Sequence, residues 1–154
     1  MTWTADTVRQ HADETFRTLI DVWLKAGDPD PIGFLYLPDG TCGAVPQVGA
    51  YPKEALPGLM RGAASELGAA FAGVVVAARF IESSPEDAER WYAAGRTLVE
   101  HPGARDCLVY SVDGPGLSVC MMAWKNAEGA LCVEVSDKHL HGRMSNLSGR
   151  LGEN

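Results

Sequence analysis

The chain has 154 residues, of which 46% are hydrophobic and 21% charged, a balance that excludes intrinsic disorder and suits one domain with its own core. Its formal charge of −7 excludes a nonspecific phosphate-binding surface, because nucleic-acid affinity comes largely from Lys and Arg displacing counterions. The start, Met1-Thr-Trp-Thr-Ala-Asp, has no basic and then apolar leader pattern, and residues 69–78 are about half the length of a spanning helix, so a cytoplasmic protein with no membrane partner is expected.

In chain order, Val8, Ala12, Phe16, Leu19, Ile20 and Trp23 recur at three- and four-residue steps and predict an amphipathic helix over Ala5–Ala26, ended by Gly27 and Pro29. Residues 32–46 read as a hairpin turning at Pro38-Asp39-Gly40. A second helix is expected over residues 51–67, with Pro57 in its first turn or displacing its start. Residues 70–81 are rich in β-branched side chains and read as a central strand covered on both faces. Ser84-Pro85-Glu86-Asp87 is a capped helix start, and the helix is expected to run to Val99 before His101-Pro102-Gly103 stops it.

Residues 107–112, 117–124 and 130–136 are three strand-like runs joined by strong turn sequences, which predicts a β-meander. Symmetric closure of the two loops pairs Val112 with Leu117 and Trp124 with Ala130. Cys107, Met122 and Cys132 then stand side by side on one face, with Val109, Cys120 and Glu134 next to them. The opposite face, carrying Leu108, Tyr110, Val112, Val119, Met121, Leu131, Val133 and Val135, is the more hydrophobic and is expected to be covered by helices. The whole reads as an α+β fold: a single domain over residues 1–136, with a predominantly antiparallel sheet of five or six strands and residues 137–154 as its C-terminal tail.

Phosphate-binding loops, dinucleotide fingerprints, His-Glu-x-x-His, Gly-x-Ser-x-Gly and Cys-x-x-Cys are all absent from the sequence. Three weaker constellations remain. His139 and His141 lie one residue apart and could share a metal with Asp137, Glu134 or a nearby thiolate; the alternative is a solvated end segment. His101, Arg105 and Asp106 could form an anion-binding or acid–base loop; the alternative is a helix stop beside a surface Arg105–Asp106 pair. Cys107, Met122 and Cys132 could form a face for an apolar ligand; the alternative is core filler, since a nucleophilic thiol needs a base and an electropositive setting.

Residues 74–81, the helix after them and His101-Pro-Gly-Ala-Arg-Asp-Cys-Leu-Val-Tyr-Ser-Val-Asp-Gly114 resemble a group of small bacterial and bacteriophage proteins with no assigned activity. The resemblance implies the order of elements and supplies no catalytic residue. The expectation is a non-catalytic protein-interaction or accessory factor, possibly phage-encoded, with no cofactor, another protein as partner and homo-oligomers allowed. The rivals are a small metal-dependent hydrolase at His139 and His141 and a small-molecule binder.

Overall fold

Thr4 accepts the Thr7 main-chain N–H on its hydroxyl while the Thr7 side chain accepts the Thr4 N–H, a reciprocal cap that starts helix α1, Ala5–Ala26. Gly27, at φ 84°, ends it by donating its N–H to the Trp23 carbonyl. The buried residues Val8, Ala12, Phe16, Ile20 and Trp23 form one stripe along the helix. The computed structural model describes residues 2–45, 48, 50–97 and 100–136.

After α1 come β1 (Ile32–Tyr36), β2 (Cys42–Val45), a short 3-10 turn (Lys53–Ala55) and α2 (Leu56–Leu67). They are followed by β3 (Phe71–Ile81), α3 (Pro85–Ala93), β4 (Ala104–Gly114), β5 (Leu117–Lys125) and β6 (Leu131–Ser136). The six strands form one sheet in the order β2-β1-β3-β4-β5-β6, every pairing antiparallel, and the fold is α+β. Pro57 lies in the first turn of α2, where its missing N–H costs nothing.

Strand side chains alternate between two cores. Phe71, Val75, Leu108, Tyr110, Val112, Val119 and Met121 meet α1. Ala72, Val74, Val76, Cys107, Val109, Cys120 and Met122 pack on the other face with Leu56, Met60 and Ala64 of α2. β3 and β4 are therefore buried on both faces, which is why residues 70–81 read as a continuous apolar run. Each fully buried Val, Leu or Met contributes about 1.5–3 kcal/mol relative to exposure.

Four boundaries differ from expectation. Helix α2 begins at Leu56, after the 3-10 turn, instead of at Tyr51. Helix α3 stops at Ala93 instead of reaching Val99, because Gly95 at φ 74° turns the chain and the Trp91 indole N–H bonds the Thr97 carbonyl. In the first meander hairpin β4 continues through Asp113 and Gly114, leaving only Pro115-Gly116 as the turn, so Val112 faces Val119 instead of Leu117. In the second, the Asn126 carboxamide oxygen accepts the N–H groups of Glu128 and Ala130, both at 3.0 Å, keeping Asn126 in the loop; Trp124 therefore faces Cys132. Both registers move by two residues, so the assignment of side chains to faces is unchanged.

Candidate functional site

The loop before β4 folds onto α3. Gly103 donates its N–H to His101 Nδ1 at 2.8 Å, which leaves the ring proton on Nε2, and Nε2–H donates to Asp87 Oδ2 at 2.9 Å. Trp91 packs edge-on against the imidazole at 4.5 Å between centroids. Asp87 sits in the first turn of α3, and its carboxyl is held below the usual range chiefly by that His101 bond. Both imidazole nitrogens are thus engaged, and His101 ties helix to loop with no lone pair left for a substrate or metal. Arg105 and Asp106 do not pair with each other: adjacent strand residues point to opposite faces. Arg105 meets Glu82 at 3.0 Å and the carbonyls of Pro102 and Ala104, while Asp106 meets Arg79 at 2.7 Å across the β3–β4 pair.

The sulfur face is also altered by the observed register. Met122 stands opposite Glu134, and Cys132 opposite Trp124, so Cys107, Met122 and Cys132 do not line up as a cross-strand row. Cys107, Cys120 and Met122 are buried beneath the α2 layer and Cys132 is half-buried on β6. Burial pushes the Cys120 thiol up, with the Ser111 hydroxyl donating to its sulfur at 3.6 Å, and pushes Cys42 up to about 11. Iodoacetamide treatment of the native protein at neutral pH, followed by peptide mass spectrometry, is expected to modify Cys132 first and Cys107 and Cys120 only after unfolding. Rapid modification of either buried thiol would show an open, reactive face.

Two buried polar features carried no signal in the sequence. The Tyr36 hydroxyl lies 3.1 Å from that of Tyr110 and 3.2 Å from His11 Nδ1, bridging α1 to the sheet through its core. Burial holds both phenols neutral, Tyr36 pushed up to about 12 and Tyr110 well above its ordinary value. Asp113 is 1% exposed on the opposite face of β4, and neither carboxyl oxygen makes a hydrogen bond of ordinary geometry. Burial pushes that carboxyl up to about 7, the Ser118 hydroxyl across the strand pair offsetting part of the rise. The tyrosine pair links the sheet to α1.

His139, His141 and Asp137 lie outside the described residues. Among the described residues, no group of three His, Cys, Asp or Glu side chains could hold a metal ion, and no helix is long and apolar enough to cross a membrane.

The most distinctive surface is β6. Its side chains Leu131, Val133 and Val135 belong to the α1 face, which was expected to be covered throughout, yet α1 packs chiefly over β4 and β5 on this side of the sheet. The three are 45%, 52% and 45% exposed, an apolar row on the last strand of the sheet. Beside it a groove of about 420 Å³ runs between β5–β6 and the flank of α1, lined by Asp6, Arg9, Gln10, Asp13, Val119, Met121 and Val135. The alternation of Leu131, Val133 and Val135 was legible from the sequence. That a single helix of this width leaves the sixth strand bare was not. No protein-family model, no curated protein and no solved structure matches the chain.

Proposed function

We propose that this chain is a non-catalytic protein-interaction module whose binding surface is the outer strand β6 and the groove beside α1. The observation that carries the reading is the exposed row Leu131, Val133 and Val135 on a sheet edge that no other strand pairs with among the described residues, since edge strands normally carry Lys, Pro or a bulge to prevent such pairing. Supporting it, several groups among the described residues that could serve chemistry are engaged or held neutral: His101 by Gly103 and Asp87, Tyr36 and Tyr110 by each other, and the Cys42 and Cys120 thiols by burial. The net charge of −7 favours a partner that is not itself strongly acidic. A bacterial or bacteriophage accessory factor, as the resemblance implies, belongs to this reading.

Val133→Lys places a charge at the centre of the row without touching either core. Protein partners captured on the native chain are expected to be lost on this variant while its thermal melt is unchanged; equal capture by both would overturn the reading. Stoichiometric zinc in the purified protein, removed by combined His139→Ala and His141→Ala substitution, would instead favour the metal-dependent hydrolase.

A further inference from the structure

The edge of β6 is complementary to itself. The Asn126 N–H donates to the Ala130 carbonyl at 3.0 Å, which fixes the phase of the β5–β6 ladder. Hydrogen-bonded pairs alternate along an antiparallel ladder, so Cys132, Glu134 and Ser136 direct their main-chain groups toward β5. Leu131, Val133 and Val135 direct theirs outward, and among the described residues no strand pairs with them. The residues with outward N–H and C=O groups are therefore the same three whose side chains form the exposed row.

We propose that a second copy of this chain occupies that edge, pairing β6 with β6 antiparallel about a two-fold axis through Val133, and this rests on the interaction reading above. In that register Val133 faces its counterpart and Leu131 faces the other copy's Val135, each as a hydrogen-bonded pair. All six outward groups on each strand find a partner, and the apolar rows of the two copies merge into one patch flanked by both α1 helices. Glu134, the one charged residue of the strand, faces Cys132 of the other copy. Moving the axis to Glu134 would set two carboxylates about 4.5 Å apart at Cα and lose a hydrogen-bonded pair. Moving it to Cys132 also loses a pair and takes the Val135 of both copies out of the row. Charge and hydrogen bonding thus select the same isologous register, which closes after two copies. Such a contact is smaller than the roughly 1,600 Å² of a standard interface, so micromolar affinity is expected. Because each copy carries −7, association tightens as salt rises.

Sedimentation equilibrium of the full chain from about 10 µM to about 1 mM is expected to show a monomer–dimer equilibrium, strengthened by salt and abolished by Val133→Lys. Val133→Pro, which removes an outward N–H without disturbing the β5 ladder, is expected to do the same with the fold retained. The register is read separately. With oxidised glutathione, Glu134→Cys is expected to give disulfide-linked dimers joining Cys132 to the new thiol, and none when Cys132→Ser is added. A chain that stays monomeric throughout, or a dimer unaffected by Val133→Lys, overturns the second copy as occupant. If Val133→Lys nevertheless abolishes capture of another protein, the interaction reading stands; if it alters neither, both fall.

Discussion

Raising the pH from about 5 to about 8 is expected to destabilise the native protein through Asp113, and Asp113→Asn to flatten that loss by roughly 2–3 kcal/mol. In the unfolded chain this carboxyl titrates at its ordinary 3.8, whereas burial in β4 pushes it up to about 7. Between those values the folded state holds a proton that the unfolded state has released. Stability from this group is therefore complete below about 4, falls as pH rises through about 7, and does not return above it. The cost is that of an ionised carboxylate 1% exposed, with no hydrogen bond of ordinary geometry to either oxygen. Urea unfolding of both proteins across this range measures the slope directly. Identical slopes would mean that Asp113 is solvated or partnered in solution. The slope is the proper readout because the carboxamide must find partners of its own, which changes absolute stability at every pH.

Gly73→Ala is expected to destabilise the fold by about 2–4 kcal/mol despite the better strand propensity of alanine. Gly73 lies mid-strand in β3, between Phe34 and Val112, on the face that meets α1. A Cβ there would run into the Tyr110 ring, 3.1 Å from Cζ and 3.0 Å from the hydroxyl oxygen. The ring cannot easily withdraw. Phe16 and Phe34 pack against it at 6.4 and 5.5 Å between centroids, and its hydroxyl is anchored to Tyr36. Movement would uncouple the Tyr36–Tyr110 pair and leave a buried donor or acceptor without a partner, a cost of about 1–3 kcal/mol in addition to overpacking. Thermal and urea denaturation give the value. A loss below about 0.5 kcal/mol would show that this part of the core is loosely filled.

The hydrophobic pattern made most of the fold legible. Four-residue spacing located α1, continuous β-branched character marked β3 as doubly covered, and alternation assigned each meander residue to its face. The meander register was not legible, because it depends on how far β4 continues into Asp113-Gly114 and on one carboxamide capping a turn, and both are decided by local hydrogen bonds. Asp113 looked like turn chemistry for the same reason. His101 was visible as a polar residue at a helix stop, but its partner Asp87 belongs to the start of that helix, and only folding brings them together. The bare row on β6 was hidden by a reasonable assumption, that an apolar face is covered along its full width. One helix spans about 10–12 Å, little more than two strand spacings.

The placement of α1 has a consequence for biosynthesis. It leaves the ribosome well before the strands it chiefly covers, β4 and β5, have been made. At usual translation rates its stripe of Val8, Phe16, Ile20 and Trp23 waits roughly 5–20 s for a sheet to dock on. During that interval the nascent helix is an apolar ligand without a receptor, open to capture by a holdase or by neighbouring chains on the same message.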